Sequence, residues 1–433
     1  MSVNHGEALE RWLERLARQH PLTIDLGLER VAGVAARLGL LEAPLAPRVI
    51  TVAGTNGKGS TVAMIESCAR AHGLSCVSYT SPHLLRYNER VRVDGREIGD
   101  EELITAFERI EAARRQGDEI SLSYFEVGTL AAALVVKQRA PDIAVLEVGL
   151  GGRLDAVNLF DADVAVITTI AQDHAEYLGT DLEIIGREKA GIMRAGACAV
   201  LGSRSLPVSV AARAAAVGVA RLATLGETFD HARDAESGWR WHGEDASGAA
   251  LSFAPLPDPG LPLDNAASAV QALVLAGVPL EHERLVAGFA EVHLPGRLQR
   301  IQRWWLDVAH NPHAARYLAE RLRERDRHQP RQGRRLVLLA MLGDKDADGV
   351  IEALMPVVDG WVCAGLDGER GRSGADLVAR ISAQGGDVFE VAEGVVEAIE
   401  WIEADPQFVG DEVLVCGSFF TVSKALEWLQ ERV

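Results

Sequence analysis

The run Gly54-Thr55-Asn56-Gly57-Lys58-Gly59-Ser60-Thr61 has the composition of a phosphate-binding turn. Its glycines let the backbone aim consecutive N–H groups at phosphate oxygens. A helix opening directly after it adds partial positive charge, and Lys58 can reach the terminal phosphates of a nucleotide. The run departs from the usual G-x-x-x-x-G-K-[ST] form. Val52 stands where a glycine is usual, and Gly59 stands where the metal-binding hydroxyl is usual. Another residue must then help hold the metal. Glu147 ends the apolar run Ile143-Ala144-Val145-Leu146 and precedes Gly149-Leu150-Gly151-Gly152. A carboxylate at the carboxyl end of a buried strand suits magnesium, which takes oxygen ligands; a strand-end glutamate facing water has the same signature. On spacing alone, His174 reads as a general base or a core histidine. Lys189, beside Glu188, reads as a surface lysine in an ion pair. Asn265 opens a helix, where an N-cap would sit. Arg297 follows Pro295-Gly296, as a linker arginine or as a group reaching across a closing cleft.

These residues need a scaffold of strands that end where the chemistry is. Arg48–Ala53 reads as the strand that delivers the glycine turn, and a helix is expected from about Ser60. Cys76–Tyr79, Ile143–Val148 and Val164–Thr168 are further short apolar runs. Strands of this kind alternating with helices predict a parallel sheet covered on both faces. The first 45 or so residues are expected to be helical, with Leu9, Trp12, Leu13 and Leu16 at helical spacing and Leu28–Leu41 following suit. Gly238–His242 and Ala250–Phe253 predict small antiparallel strands, and a helix is expected from Asp264 to Ala276. The chain is interrupted at Leu294-Pro295-Gly296-Arg297. Beyond it a second α/β set is expected: Trp304–Val308, Arg335–Leu342, Gly360–Ala364, Val388–Val391, Glu412–Cys416 and a last helix over Val422–Glu431. The expected domains are 1–296 and 297–433. In the arginine-rich stretch Arg316–Arg335 the arginines alternate with Glu320, Glu324 and Asp326, which favours a solvated helix face and loop over a polyanion site.

Composition narrows the function. The chain has 433 residues, of which 48% are hydrophobic and 24% charged, so it is an ordinary globular sequence. Its 44 basic against 62 acidic side chains give a formal charge of −18. Such a field disfavours nucleic acid and anionic membranes as partners, so an anionic substrate needs local cations. No apolar run is long enough to span a bilayer, and the N-terminus lacks a signal-peptide core. Five scattered cysteines, none in a CxxC pair, predict reduced thiols and a cytoplasmic location.

The phosphate turn, read as Val52-Ala53-Gly54-Thr55-Asn56-Gly57-Lys58-Gly59-Ser60, resembles that of the Mur ligase superfamily, and most closely the branch of folylpolyglutamate synthases and dihydrofolate synthases. Other segments resemble that branch in the same order along the chain. They are Ile24-Asp25-Leu26-Gly27-Leu28-Glu29-Arg30, Ser81-Pro82-His83-Leu84, Tyr124-Phe125-Glu126, Glu147 to Asp155, Asp173-His174, Glu188-Lys189-Ala190-Gly191-Ile192, Leu294 to Arg297 and Asp307-Val308-Ala309-His310-Asn311-Pro312. The resemblance implies an N-terminal ATPase-like domain with a parallel sheet and a small β region, and a C-terminal Rossmann-like α/β domain. It implies ATP contacts at Thr55, Asn56, Gly57, Lys58, Gly59, Ser60, Asn265, Arg297 and Asp307. Ser81 and Glu147 become magnesium ligands, and His174 the ligand of a second magnesium ion. Lys189 becomes a carbamylated lysine, and His310 stands near the incoming amino acid. Ile24, Asp25, Leu26, Gly27, Ser123, Tyr124, Phe125, Glu126, Leu154, Asp155 and Ala156 match dihydropteroate-contacting segments of bifunctional members, with Asp25 or Asp155 on the pterin's N–H groups and Phe125 on its face.

A carboxylate is a poor electrophile because its leaving group would be oxide. Phosphorylation by ATP turns it into a mixed anhydride that an amine can attack. Such chemistry needs positioning and charge stabilisation on the transferring phosphoryl group, which Lys58 and two magnesium ions would supply. The resemblance therefore implies a monomeric ligase joining L-glutamate to dihydropteroate and to the γ-carboxylate of reduced folates. The alternatives are a monofunctional folylpolyglutamate synthase, a cell-wall peptide ligase of the same superfamily, and a nucleotide-gated binding module in which Glu147, His174 and Lys189 have no task.

Overall fold

The structure, a computed structural model, describes residues 5–22, 24–173, 175–234, 238–368 and 370–432. The chain forms two compact units, Met1–His293 and Leu294–Val433.

In the first unit, strands β1 (Val49–Ala53), β2 (Cys76–Tyr79), β3 (Val91–Val93), β4 (Arg96–Glu97), β5 (Ile143–Glu147), β6 (Val164–Ile167), β7 (Cys198–Leu201) and β8 (Arg221–Thr224) make one sheet in the order β4-β3-β2-β5-β1-β6-β7-β8. From β2 to β8 along that order the strands run parallel, while β3 and β4 turn back antiparallel. Every residue of β1, β5 and β6 is buried. Successive strand side chains point to opposite faces, so both faces are covered, and this is why these strands read as unbroken apolar runs. β2 and β5 lie to one side of β1, and β6 and β7 to the other. Such a change of direction leaves a crevice at the carboxyl ends of the strands. The register sets its walls: Val52 pairs with Glu147 and Ala53 with Ile167. The turn leaving β1 therefore starts between Glu147 and Thr168.

The helix after that turn is Lys58–Ala71, two residues earlier than the periodicity indicates. In the N-terminal region the helices are His5–Gln19 and Glu29–Arg37, and the chain from there to β1 carries no regular element. The small β region is a three-stranded antiparallel sheet of β9 (Asp230–Asp234), β10 (Gly238–Glu244) and β11 (Ala250–Leu256), with β10 central. Trp239 and Trp241 alternate with outward residues along β10; the first meets Phe289 edge-on at 5.2 Å and the second stacks on Phe253 at 5.7 Å.

The second unit has β12 (Gln299–Ile301), β13 (Trp304–Leu306), β14 (Arg335–Leu339), β15 (Gly360–Ala364), β16 (Val388–Ala392) and β17 (Glu412–Cys416) in the order β12-β13-β17-β14-β15-β16, all parallel except β12. Its last helix, Phe419–Gln430, begins earlier than the expected Val422, capped by the Ser418 hydroxyl. The arginine-rich stretch is only partly a solvated face. Arg335 is 1% exposed and pairs with Asp326 and Glu412 at 2.8 and 2.5 Å. A buried guanidinium survives because carboxylates surround it.

Candidate active site

The glycine turn is held open by its neighbours. Gly57, at φ 87°, caps the helix Lys58–Ala71 in the left-handed region, and a Cβ there would fall 2.6 Å from Asn265 Nδ2. A Cβ on Gly54 would fall 1.8 Å from Thr168 Oγ1. Thr55 N–H donates to Thr169 O at 2.7 Å, Asn56 N–H to Thr169 Oγ1 at 3.0 Å, and Thr168 Oγ1 to Asn56 O at 2.7 Å. The turn is thus laced to the end of β6. No side chain caps the helix, so its first N–H groups remain available to an anion. Asn265 is not an N-cap. It is the third residue of the helix Leu263–Leu275, is 3% exposed, and donates Nδ2–H to Ser60 Oγ at 2.8 Å.

Two lysines converge on one carbonyl oxygen. Lys58 Nζ donates to Gly54 O and Thr55 O, each at 3.2 Å, and Lys189 Nζ donates to Gly54 O at 3.0 Å. Lys189 is a buried residue and not a surface one; Glu188 pairs instead with Arg153 at 3.0 Å. Burial, then the charge of Lys58, pulls the Lys189 amine down to about 7, against the opposing pull of Asp173 and Asp155. Near pH 7 much of it is a neutral amine.

Glu147 is also buried, not a water-facing strand end. Ser81 N–H donates to its Oε2 at 3.3 Å, and a Cβ on Gly59 would lie 3.6 Å from that oxygen. The carboxylate therefore faces the first helical turn at the mouth of the phosphate loop. At that distance a Cβ would make ordinary van der Waals contact with the carboxylate, so Gly59 and Glu147 are direct neighbours. Among the described residues no three His, Cys, Asp or Glu side chains gather as a metal cage. One buried carboxylate beside a phosphate turn still fits magnesium, which commonly takes one or two carboxylates and completes its shell with phosphate oxygens and water. His174 lies outside the described residues.

The three dihydropteroate segments meet in this unit. Gly27 N–H donates to Leu154 O at 3.2 Å. Arg30 pairs with Asp25 at 2.8 Å and with Glu126 at 3.2 Å, and His20 Nε2 lies 3.1 Å from Asp25. Ser123 and Glu126 form a reciprocal capping box at the start of the helix Tyr124–Arg139. A Cβ on Gly149 would fall 2.6 Å from the Phe125 ring, so that glycine makes room for it. Ile24 and Leu26 pack against Leu150, Leu178 and Ile185. Asp155 differs from the expectation that it offers its carboxylate to a pterin. It is 2% exposed, and its oxygens accept Leu150 N–H and Val157 N–H, each at 2.9 Å. Burial, against those bonds, pushes it up to about 6. It shapes the turn that holds Leu154 and Ala156. Arg30 was not singled out by sequence reasoning; its signal is the segment Ile24–Arg30 itself.

In the second unit, Arg297 and His310 lie against Phe419, and Asp307 lies near Arg297. Arg297 lies 5.4 Å from the Phe419 ring centre and the His310 ring 6.1 Å from it. Asp307 follows β13 and accepts Leu298 N–H and Ala309 N–H, each at 2.8 Å. Burial raises its pKa, and Arg297 opposes that rise. His310 Nδ1 lies 2.9 Å from Val308 O, and Asn311 caps the helix Pro312–His328.

The Mur ligase middle domain matches residues 52–203, and the Mur ligase glutamate ligase domain matches residues 296–419. The Escherichia coli (strain K12) dihydrofolate synthase/folylpolyglutamate synthase is 45% identical over 427 residues, 98% of this chain and 96% of that protein. The Haemophilus influenzae counterpart of the same name is 37% identical, covering 98% of each. E. coli FolC in complex with DHPP and ADP superimposes with a TM-score of 0.89 at 44% identity over 98% of both chains. The Yersinia pestis bifunctional folylpolyglutamate synthase/dihydrofolate synthase complexed with AMPPNP and Mn ion gives a TM-score of 0.87 at 44% identity, again over 98% of both. Both Mur ligase domains in order and relatives of this identity over nearly the whole chain decide the matter: the chain belongs to the dihydrofolate synthase/folylpolyglutamate synthase family of the Mur ligase superfamily.

Proposed function

We propose that this chain is an ATP-dependent amide ligase that joins L-glutamate to dihydropteroate and to the γ-carboxylate of reduced folates through an acyl phosphate. One observation carries the reading: the uncapped phosphate turn, two lysines on Gly54 O and a buried Glu147 stand in the same unit as the joined segments 24–27, 123–126 and 154–156. ATP use and a divalent metal accord with relatives whose structures carry ADP, or AMPPNP and manganese.

In this reading the helix N-terminus and the N–H groups of Thr55 to Ser60 cradle the triphosphate, and Asn265 fixes Ser60. Lys58 leaves the loop carbonyls to neutralise charge on the transferring phosphoryl group. Glu147 and Ser81 hold magnesium, with His174 assigned to a second ion; the metal supplies charge stabilisation on the phosphoryl oxygens. The neutral Lys189 amine would add to carbon dioxide and release its proton to water, turning an uncharged amine into a carbamate anion near Asp173. Ile24 to Gly27 and Ser123 to Glu126 seat the pterin, with Phe125 against its face. Arg297 and Asp307 contact ATP, and His310 stands by the incoming glutamate. The reading includes a monomeric enzyme in the cytoplasm, a location that the five free cysteine thiols favour.

Mass analysis of the products from ATP, L-glutamate and either dihydropteroate or tetrahydrofolate tests the proposal. Glutamate added to both acceptors is expected. Extension of tetrahydrofolate alone would leave a monofunctional synthase. ADP release with UDP-linked peptide precursors instead would favour a cell-wall ligase, and ATP turnover uncoupled from amide formation would favour a nucleotide-gated module.

A further inference from the structure

Arg90 is 9% exposed, yet among the described residues no carboxylate pairs with it. The comparably buried arginines of this chain are different: Arg114 pairs with Glu111 and Glu119, and Arg335 with Asp326 and Glu412. An arginine is almost never this buried without an anion. The groups around Arg90 do not supply one. Its Nε–H donates to His83 Nδ1 at 2.8 Å, and its guanidinium lies 5.1 Å from the Tyr87 ring centre and 5.5 Å from that of Tyr124. Because Arg90 Nε–H is the donor of that bond, His83 accepts at Nδ1. The adjacent Glu89 is spent on backbone, accepting the N–H groups of Leu84, Leu85 and Arg86. The buried Tyr87 hydroxyl has no hydrogen-bond partner.

The position of Arg90 indicates which anion is missing. Its carbonyl accepts Thr80 N–H at 2.8 Å, and the next residue, Ser81, donates to Glu147. On the other side its guanidinium covers Tyr124, within the segment 123–126. Arg90 is thus anchored through its backbone to the strand end that leads to Ser81, while its guanidinium lies over the segment assigned to the pterin. We infer that Arg90 binds a carboxylate of the pterin substrate and sets it toward the phosphoryl group. The inference rests on the ligase reading above. The carboxylate is either the aryl carboxylate of dihydropteroate or the α-carboxylate of a glutamyl folate. His83 is a positioning residue, orienting the guanidinium through Nε.

Equilibrium binding by calorimetry on the full chain tests this with two probe pairs: dihydropteroate against its decarboxylated counterpart, and tetrahydrofolate against its α-carboxamide. The native chain should prefer the carboxylate member of at least one pair by roughly 10- to 100-fold, the range for one charge-assisted hydrogen-bonded contact. Arg90→Gln should bind both members of that pair equally, with ATP affinity unchanged. Loss confined to the first pair identifies the aryl carboxylate, and loss confined to the second the α-carboxylate. Arg90→Lys, which keeps the charge without the Nε–H to His83, should retain part of the preference; it also carries the test if Arg90→Gln does not fold. Native binding that ignores the carboxylate in both pairs overturns the inference, as does full preference surviving in either variant. A native chain that binds no pterin at all would refute the ligase reading first, and this inference with it.

Discussion

Replacing Lys189 with methionine should stabilise the protein near neutral pH, an unusual outcome for a residue in a candidate active site. The side chain is 5% exposed, and its pKa falls from an ordinary 10.5 to about 7. The folded state therefore binds fewer protons than the unfolded state between those values. Stability then rises with pH across the window and is lowest at and below pH 7. At pH 7 the native chain forgoes about 4 kcal/mol relative to an untitratable side chain, taking 1.36 kcal/mol for each pH unit of the window. Methionine fills a similar volume but gives up the bond to Gly54 O, worth about 1 kcal/mol. The net gain should be about 3 kcal/mol at pH 7 and close to zero at pH 10. Urea unfolding of both chains in buffer purged of carbon dioxide, followed from pH 7 to pH 10, reads the difference. A variant less stable than native at pH 7, or a gap that ignores pH, would refute the argument that Lys189 is held as a neutral amine. The same variant should be inactive, which separates its catalytic from its structural contribution.

Lys58→Ala should cut turnover by about 10³-fold while the unfolding midpoint stays near native, because the lysine bonds only loop carbonyls; near-native steady-state rates would sink the phosphate-loop assignment. Glu147→Gln should raise the magnesium concentration needed for half-maximal rate at least about 10-fold with a preserved fold, as magnesium titration of the reaction would show; unfolding instead would make Glu147 structural. Asp155→Ala should destabilise by about 1–3 kcal/mol, because it strands the N–H groups of Leu150 and Val157. It should also depress dihydropteroate and tetrahydrofolate use together, and selective loss of the dihydropteroate reaction would assign Asp155 to the pterin after all.

The parts of the fold that the sequence displays are those where local pattern and burial agree. β1, β5 and β6 are buried on both faces and carry continuous apolar runs, and the glycine turn sits on a strand-to-helix junction as its composition requires. The two-residue strand β4 and the three-residue strand β3 are too short to show a period, and β7, Cys-Ala-Val-Leu, gives no alternation because it too is largely buried. Residue type and order singled out Lys58, Glu147 and Asn265, but not the burial of Glu147 and Asn265. Lys189 reads as a surface lysine because the sequence cannot show the carbonyl of Gly54, 135 positions away, closing over its ammonium. Asp155 reads as a ligand contact because an aspartate capping distant backbone looks the same in one dimension. Arg90 is invisible for the converse reason: what marks it is the lack of an acid nearby, a property of the fold alone.

The carbonyl of Gly54 acts as a junction between two events. While Lys58 rests on it, that charge helps keep the Lys189 amine neutral. In the proposed ligase, a triphosphate that draws Lys58 away and screens it would restore basicity to Lys189. The amine is thus most nucleophilic in the empty site, before nucleotide arrives. Linkage is reciprocal: the factor by which bound nucleotide raises the proton affinity of Lys189 is the factor by which protonation of Lys189 raises nucleotide affinity. In the proposed ligase, a single backbone oxygen that accepts from both lysines would set an order of assembly in which the amine is dealt with first and the nucleotide second.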